Sequence, residues 1–453
     1  MRPRRWAAIL LVSTIVTVAT TLVLVPSGRA AQVDGPPAGV LVVCTSPPWA
    51  EGVSYAVGSR VTYLGRLYEA MVAHTPPPGA GWNPVAAASL WRDLGACDGG
   101  PPPPPPPTTA PPTTAPPPTS PPPTTAPPTS PPPTGATCAV KSRPTGKVLQ
   151  GYWENWDGSV NGVHPPFGWT PITDSRIRAH GYNVINAAFP VIRGDGTVLW
   201  EDGMDATVRV ATPAEMCQAK AAGQTILMSI GGATAGIDLN STTVANRFIA
   251  TIVPILKRYN FDGIDIDIET GLIGSGNINQ LSTSQANLIR IIDGVLAQMP
   301  SNFGLTMAPE TAYVTGGSVV YGSIWGAYLP IIKKYADNGR LWWLNMQYYN
   351  GSMYGCAGDS YSAGTVQGFV AQTNCLNAGL VIQGTTIRVP FDKQVPGLPA
   401  QAGAGGGYMS PSLVAQCWNT YSNGLKGLMT WSINWDGSRN WTFGDNVRSL
   451  QGR

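Results

Sequence analysis

Short apolar runs alternate with longer stretches of helical periodicity between residues 138 and 453. Eight runs have the length and the content of β-branched and aromatic residues expected of buried strands: VLQGYW (148–153), NVINAAF (183–189), TILMSI (225–230), GIDIDIE (263–269), GLTMA (304–308), WWLNMQYY (342–349), LVIQG (380–384) and GLMTWS (427–432). Strands that alternate with helices predict a parallel sheet in an α/β fold. Eight such units over this length predict a TIM (β/α)8 barrel, with its functional residues at the carboxyl ends of the strands.

The fourth run, GIDIDIE, places acidic and apolar residues in strict alternation. Asp265, Asp267 and Glu269 therefore share one face of the predicted strand, because successive side chains point to opposite faces. A strand of this kind is buried on both sides, so its acids must be hydrogen-bonded, partly protonated or used in chemistry. Asp267 and Glu269 would lie roughly 6.6 Å apart, and each negative charge would raise the pKa of the other.

A protonated acid beside a charged carboxylate has the chemistry needed to cleave a glycosidic bond. The acid protonates the leaving oxygen, and the neighbouring anion stabilises the positive charge that develops on the sugar. Two other interpretations are a solvated strand face and a calcium-binding acidic run. The alternation with isoleucine argues against calcium, because calcium loops usually carry Asn, Gly and turn residues.

Residues 1–30 have the features of a signal peptide. Three arginines precede an apolar stretch, and Gly-Arg-Ala at 28–30 provides a small-x-small cleavage pattern. An uncleaved membrane anchor is the alternative, because the apolar stretch is longer than usual. The Thr and Ser residues within the stretch and the cleavage pattern favour removal. We therefore expect a secreted, extracellular protein that has no membrane contact after cleavage and that can form disulfides.

Residues 31–98 predict a small all-β module, in which the segments WAEGVSY, SRVTYLG and RLYEAMV would form strands. So small a unit has a limited core, so any aromatic side chains left exposed would form a platform for sugar rings. Cys44 and Cys97 bracket the module and are expected to pair. Residues 99–137 are mostly Pro, Thr, Ser and Ala, which predicts an extended linker to a catalytic domain at 138–453.

Charge and composition exclude several classes of function. Only 12% of the residues are charged, and the formal net charge is +3 without a long basic run beyond the N-terminus, so nucleic acid is not an expected partner. The chain has 3 histidines, and none of its 7 cysteines shows zinc-ligand spacing. We therefore expect no metal and no other cofactor. The odd number of cysteines leaves at least one thiol unpaired.

Two motifs together resemble glycoside hydrolase family 18, in particular its secreted bacterial chitinases. The pattern D-x-x-D-x-D-x-E ends at Glu269, the expected last residue of the fourth strand, and Ser-Ile-Gly-Gly at 229–232 resembles the S-x-G-G of the third strand. The resemblance implies the barrel fold and makes Glu269 the general acid. It also implies that Asp267 orients the N-acetyl group of the substrate and that Asp265 shares a proton with Asp267.

Other strand ends are similar to the sugar cleft of that family. Aligning QYYN with the Q-x-Y-N pattern of plant-type members makes Tyr349 the residue that contacts the N-acetyl carbonyl. A slip of one residue would select Tyr348, and Asn350 stands where Asp is more common. The aromatic residue after the eighth strand resembles the tryptophan beneath the cleaved sugar. The candidates for substrate binding in the barrel are Met307, Glu310, Gln347 and Trp431.

The N-terminal module resembles carbohydrate-binding families 5 and 12, through the spacing of its aromatic residues and its GWNP and SLW segments. This resemblance implies that Trp82, within GWNP, is exposed and binds chitin. Trp49 and Trp91 are then structural.

The two resemblances imply a chitinase that hydrolyses β-1,4-linked N-acetylglucosamine polymers with retention, through an oxazolinium ion formed by the substrate's own acetamido group. The expected partners are insoluble chitin and N-acetylglucosamine oligomers, and a monomer is expected. Residues 384–425 lack the pattern of an inserted α+β domain, which favours an open cleft and endo-type cutting. The alternatives are an endo-β-N-acetylglucosaminidase acting on N-glycans and a non-catalytic chitin-binding lectin.

Overall fold

A barrel of eight parallel strands dominates the computed structural model, which describes residues 44–50, 53–71, 84, 90–97, 135–156, 169–205, 208–233, 236–421 and 424–453. In barrel order the strands are Val148–Glu154, Val184–Ala188, Thr225–Gly231, Gly263–Asp267, Gly304–Met307, Trp343–Leu344, Gly397–Pro399 and Gly427–Trp431. Parallel bridges between Leu344 and Gln394 and between Gln347 and Gly397 join the sixth strand to the seventh. These bridges close the sheet, as the TIM barrel prediction requires.

Both faces of the barrel strands are buried, and the two faces differ in composition. Ile264 and Ile266 pack outward into the large apolar core that the strands share with the helices. The inner face carries a smaller apolar cluster that includes Val148 and Met429. Asp265 also lies inside, where water is excluded, so the alternation of the fourth strand separates an apolar outer face from an acidic inner one.

The seventh predicted strand is wrong. LVIQG contains the strand Leu380–Ile382, which pairs antiparallel with Thr385–Ile387 in a separate hairpin. The seventh barrel strand is Gly397–Pro399, which is too short to stand out as an apolar run. A Cβ atom on Gly397 would lie 2.3 Å from Met429 Cε and 3.2 Å from the carbonyl oxygen of Met346, so a larger residue would displace its neighbours.

The helices of the described residues are Ser175–Ala179, Pro213–Ala221, Thr242–Arg258, Thr283–Leu296, Leu329–Asp337, Val366–Ala378, Pro411–Thr420, Ile433–Gly437 and Thr442–Leu450. Local side chains satisfy the free N–H groups at the start of several helices. Thr212 and Ser282 form capping boxes with Glu215 and Gln285. Short elements complete the fold: the strands Val191–Ile192, Val198–Leu199, Met353–Tyr354 and Ser360–Tyr361, and the 3-10 helices Thr311–Tyr313, Thr315–Ser318 and Phe391–Lys393.

A buried ion pair lies at the amino end of the fourth strand. Lys220 Nζ is 2.7 Å from Asp262 Oδ1, and the two side chains are 3% and 0% exposed. Asp262 also accepts hydrogen bonds from the backbone N–H groups of Lys141 and Ile226. Lys220 donates a further hydrogen bond to the carbonyl oxygen of Asn260. Both charges are therefore compensated, and the pair ties several segments to the base of the barrel.

The N-terminal module is a three-stranded antiparallel sheet of Arg60–Tyr63, Arg66–Ala70 and Trp91–Ala96. Two of these strands match the prediction. The segment WAEGVSY, however, supplies no strand among its described residues, and the third strand begins at Trp91 instead. Trp91 packs edge-on against Tyr55 in the core, consistent with its expected structural role.

Three disulfides cross-link the chain. Cys44 pairs with Cys97 as predicted, and the others join Cys138 to Cys217 and Cys356 to Cys375. Cys417 is the unpaired thiol, and it is buried. The predicted signal peptide and most of the predicted linker lie outside the described residues. In the part of the chain that is described, no helix combines the length and the apolar character needed to cross a membrane.

Candidate active site

The carboxylate of Asp265 is buried inside the barrel and accepts four hydrogen bonds. The donors are Tyr152 Oη (2.7 Å) and Ser229 Oγ (2.8 Å) to Oδ2, and Thr306 Oγ1 (2.6 Å) and Asn345 Nδ2 (3.1 Å) to Oδ1. Burial raises the pKa of Asp265, and these neutral donors oppose the rise. Within the described residues, no hydrogen bond joins Asp265 to Asp267. Sequence reasoning identified the acid but none of its four donors, three of which lie in the first, third and fifth strands while Asn345 directly follows the sixth.

Asp267 and Glu269 are linked through one amide. Gln347 lies three residues after the sixth strand, and its Nε2 donates to Asp267 Oδ1 and Glu269 Oε1 at 2.9 Å each and lies 3.1 Å from the carbonyl oxygen of Ala308. The fourth strand ends at Asp267, so the expectation that Glu269 is its last residue is wrong. Glu269 instead lies two residues further on and is half-buried.

The Ser-Ile-Gly-Gly motif of the third strand supports the end of the fourth. Gly231 has a φ of +114°, and a Cβ atom there would lie 2.1 Å from the carbonyl oxygen of Asp267. The next residue, Gly232, donates its backbone N–H to that same oxygen at 2.7 Å. The motif therefore requires glycine because the backbone of Asp267 packs directly against it.

The site brings several carboxyl groups together, and none of the described residues compensates them with a cation. Burial raises the pKa of Asp267 well above its usual value, and the charges of Glu269 and Asp265 add to the effect. Burial and the charge of Glu310 raise the pKa of Glu269 to about 7, although the hydrogen bond from Gln347 opposes the rise. Burial also raises the pKa of Glu310. No Lys or Arg of the described residues forms an ion pair with these groups. A proton is therefore held at this end of the barrel near neutral pH.

The structure separates the two candidate tyrosines. Tyr349 is buried beside the carboxylates, and the charges of Asp267 and Glu269 add to burial in raising its pKa well above the usual value. Tyr348 lies elsewhere, because its hydroxyl is 3.1 Å from Thr373 Oγ1 and its ring packs edge-on against Phe369. Geometry therefore favours the register that selects Tyr349.

Aromatic rings form a group at the carboxyl ends of the first, second and eighth strands. Trp431 is half-buried, and its ring centroid lies 5.4 Å from Tyr152, 6.1 Å from Trp156 and 6.0 Å from Phe189. Trp156 and Phe189 stack with an interplanar angle of 15°. Phe189 was missed by sequence reasoning, although its place directly after the second strand was a usable signal.

Two fifth-strand candidates have different environments. Glu310 follows the strand, is half-buried and neighbours Gln347 in a parallel bridge. Met307 is fully buried in the outer core with Ile266, whereas its neighbour Thr306 points inward to Asp265. The assignment of Met307 to substrate binding is therefore corrected, because this side chain has no surface that a sugar could touch.

The remaining predictions concern the module and metals. Trp82 lies outside the described residues, so its expected exposure stays a prediction. Trp49 is half-buried and packs edge-on against Tyr63 at 5.6 Å. Wherever residue placement is described, no group of three or more His, Cys, Asp or Glu side chains could hold a metal ion.

Two family models match the chain. Glycosyl hydrolases family 18 matches residues 148–339, and carbohydrate-binding module family 5/12 matches residues 48–92. Endochitinase 4 of Metarhizium robertsii is 82% identical over 312 residues, which cover 69% of this chain and 90% of that protein. Endochitinase 37 of Trichoderma harzianum is 82% identical over 311 residues, covering 69% and 92%.

A solved structure also matches most of the chain. The family GH18 chitinase from Chromobacterium violaceum is 28% identical with a TM-score of 0.59, and the match covers 90% of this chain and 100% of that one. Similar proteins therefore come from fungi as well as bacteria, so the matches do not single out the bacterial chitinases. Together with the barrel and the D-x-x-D-x-D-x-E motif at its fourth strand, these matches show that the chain belongs to glycosyl hydrolase family 18 and carries a module of carbohydrate-binding family 5/12.

Proposed function

We propose that the protein is a secreted endochitinase that hydrolyses β-1,4-linked N-acetylglucosamine polymers. Its family and its 82% identity to fungal endochitinases support the activity. The observation that carries the proposal at the level of residues is the pair of carboxyl groups of Asp267 and Glu269, held by Gln347 beside an aromatic group.

Glu269 acts as the general acid. It is half-buried, so a substrate can reach it, and a pKa of about 7 leaves about half of it protonated at neutral pH and most of it protonated in acidic solution. A general acid is most effective when its pKa lies near the working pH. Glu269 gives its proton to the glycosidic oxygen as the bond to the anomeric carbon breaks. It then accepts a proton from the water that completes the reaction.

The acetamido oxygen of the substrate is the nucleophile. Its attack on the anomeric carbon forms an oxazolinium ion, and water opens this ion with retention of configuration. Asp267 stabilises the positive charge of the ion, and Tyr349 donates a hydrogen bond that orients the acetamide. Both side chains lie within electrostatic reach of Glu269. The mechanism requires an acetylated sugar immediately before the cleaved bond.

Trp431 is the platform for that sugar. It is half-buried, with Tyr152 and Phe189 packed around it, so its orientation is fixed before the substrate arrives. Gln347 contributes a polar wall on the opposite side, where it holds Asp267 and Glu269. An aromatic ring under a pyranose buries apolar C–H groups, while the polar wall fixes the orientation of the sugar.

An open cleft supports endo-type cutting. The connection between the seventh strand and the next helix consists of residues 400–410, so no inserted domain walls the cleft at this point. A polymer can therefore bind along its length instead of entering by an end.

The N-terminal module increases the local concentration of the barrel on insoluble chitin. Its family supports chitin binding, with Trp82 as the proposed contact residue. A linker between two binding units converts the second binding event into an intramolecular one, so the two units need no contact with each other. We propose that the secreted protein acts as a monomer with chitin and N-acetylglucosamine oligomers as its partners.

The test compares wild type with Glu269→Gln on insoluble chitin and on N-acetylglucosamine oligomers, with product analysis. We expect short acetylated oligomers from wild type and a loss of kcat of about 10²- to 10⁴-fold in the variant, with chitin binding retained. Glu201→Gln, an exposed acid, is the matched control and should remain fully active.

The other outcomes identify the alternatives. Wild-type protein that binds chitin without cutting it would be a lectin. Protein that leaves chitin intact but releases glycans from a glycoprotein would be an endo-β-N-acetylglucosaminidase. Full activity of Glu269→Gln would show that the acid has been assigned to the wrong residue.

A further inference from the structure

Glu310 differs from the other three carboxylates of the site in having no partner. Gln347 donates to both Asp267 and Glu269, and Asp265 accepts four hydrogen bonds. No described residue donates a hydrogen bond to the Glu310 carboxylate or forms an ion pair with it. Its carboxylate oxygens are not fully buried, so they keep some contact with solvent.

The position of Glu310 is nevertheless well fixed. Its carbonyl oxygen accepts the backbone N–H of Tyr313 at 3.1 Å, and its backbone lies beside Gln347 in a parallel bridge. Tyr313 in turn donates its hydroxyl to the carbonyl oxygen of Glu269 at 2.6 Å. Glu310 is therefore held next to the proposed acid, with a half-buried carboxylate that is available to a ligand.

Barrel topology gives the side of the cleft on which Glu310 lies. The aromatic group lies at the eighth, first and second strands, because Trp431 and Tyr152 belong to the eighth and first and Phe189 directly follows the second. Glu269 and Glu310 follow the fourth and fifth strands, on the opposite side of the barrel. A chain whose acetylated sugar rests on the aromatic group passes Glu269 at the cleaved bond and continues toward Glu310. Glu310 therefore faces the sugar that leaves.

The charge around this position favours a cation. The charge of Glu310 lies close enough to raise the pKa of both Asp267 and Glu269, and the described residues provide no Lys or Arg to balance the three carboxyl groups. A half-buried carboxylate without a partner is unfavourable, and an ammonium group would compensate for it better than a neutral hydroxyl or amide. In this class of polymer, the available ammonium group is the protonated amine of a deacetylated unit.

We propose that Glu310 is a specificity-determining residue, which favours a glucosamine unit with a protonated amine on the leaving-group side of the cleaved bond. The inference rests on the proposed function and extends its substrate to partly deacetylated chitin. The sugar before the cleaved bond must still be acetylated, because its acetamide is the nucleophile. The two sides of the bond therefore have opposite requirements.

The test digests partly acetylated chitosan at about pH 6 with wild type, Glu310→Gln and Glu310→Asp, and sequences both new chain ends. In wild type, we expect new reducing ends that are acetylated and new non-reducing ends that are enriched in glucosamine. The enrichment should fall roughly fivefold in Glu310→Gln, which is the upper range for a partly exposed ion pair, and should be partly kept in Glu310→Asp. Glu201→Gln is the control for a general loss of acidic charge.

The outcomes separate this inference from the proposed function. The inference is overturned if the products of wild type and of Glu310→Gln have the same glucosamine content at their new non-reducing ends. If the new reducing ends of those products are acetylated, the proposed chitinase mechanism still holds. A Glu310→Gln variant that changes only the pH profile also overturns it, because Glu310 then acts only through Glu269. Glucosamine at the new reducing ends would instead contradict the acetamide mechanism, and with it the basis of this inference.

Discussion

The fourth strand has buried acids at both ends, and the two ends are built differently. At the amino end, Asp262 pairs with Lys220 and accepts two backbone hydrogen bonds. At the carboxyl end, Asp267 and Glu269 share a single neutral amide, and no described cation accompanies them. At the amino end, the charge of Asp262 is compensated by Lys220. At the carboxyl end, the acids have no such cation among the described residues, and Glu269 retains its proton up to about neutral pH.

This difference explains why only one end is suited to chemistry. Burial raises the pKa of Asp262, but Lys220 and the backbone donors oppose the rise and favour the charged form. Burial and the charge of Glu310 leave Glu269 with a pKa of about 7, because no cation among the described residues opposes them. Perturbed acids without a counter-ion are more typical of functional sites than of structural ones. The same residue type therefore has a structural role at the base and a proposed chemical role at the top.

Removing the cation from the base should give the largest loss of stability. Lys220→Met leaves Asp262 buried and uncompensated, and we expect the free energy of unfolding to fall by about 3–5 kcal/mol. The kcat of the folded variant should remain near that of wild type, because the base is remote from Glu269. Chemical denaturation and a chitin oligomer assay measure the two quantities.

Lys333→Met is the matched control for that experiment. Lys333 pairs with Asp337 on an exposed helix face, where the side chains are 39% and 62% exposed. Its loss should change stability by less than about 1 kcal/mol. Equal effects of the two substitutions would contradict the contrast between the ends of the strand.

The tyrosine register is tested at the carboxyl end. Tyr349→Phe should lower kcat by about 10²-fold, because it removes a hydrogen-bond donor to the acetamide in the transition state. Tyr348→Phe should leave kcat within about threefold, because its hydroxyl bonds to Thr373 in the helix layer. The reverse order of effects would show that the alignment slips by one residue.

The pH dependence of activity follows from the protonation of Glu269. The general acid must carry its proton, so kcat/KM should be highest below pH 7 and fall about tenfold per pH unit above it. An activity that instead rises through this range would contradict the assignment. A pH series with a soluble oligomer measures it.

Stability should follow the same proton. The pKa of Glu269 in the folded state, about 7, lies above its ordinary value of 4.5, so its contribution is complete below about pH 4.5 and lost as the pH rises through 7. We expect this loss to reach about 2 kcal/mol, because the half-buried position and the neighbouring acids reduce the full effect. Glu269→Gln should remove that part of the dependence, which unfolding measurements on both proteins at pH values around 5 and 9 would detect.

Sequence reasoning succeeded where a signal is local. Strict alternation in GIDIDIE was enough to predict the strand and the burial of Asp265 and Asp267. Met307 was a candidate because it lies at the end of the predicted fifth strand, although the alternation within GLTMA places Thr306, and not Met307, on the inner face. That alternation was available, and the structure pairs Thr306 with Asp265 in register.

The other errors and omissions depend on long-range contacts. LVIQG is the longer apolar run, yet it pairs in a hairpin, whereas the short segment GLP pairs in the barrel. A hairpin strand can have the same apolar pattern as a barrel strand, so the sequence alone does not separate them. Lys220 and the donors to Asp265 lie far from the acids in sequence, so no local pattern connects them. The boundaries of the domains and the roles of the site residues remain predictions.

The smallest expected effect concerns Asp265, which lies between the two ends of the strand and is compensated by neutral donors only. Thr306→Val keeps the shape of the side chain but removes the hydrogen bond from Oγ1, leaving three donors to the carboxylate. We expect a loss of about 1–2 kcal/mol in unfolding free energy, since a buried charged acceptor loses one of several partners. This loss of stability should be smaller than that of Lys220→Met. Asp265 keeps three hydrogen-bond donors after the substitution, whereas Asp262 loses the cation with which it forms an ion pair. If Thr306→Val lost more stability than Lys220→Met, hydrogen bonding would compensate the buried acids of this strand more than the buried cation does. Hydrogen bonding would then be what sets Asp262 and Asp265 apart from Glu269.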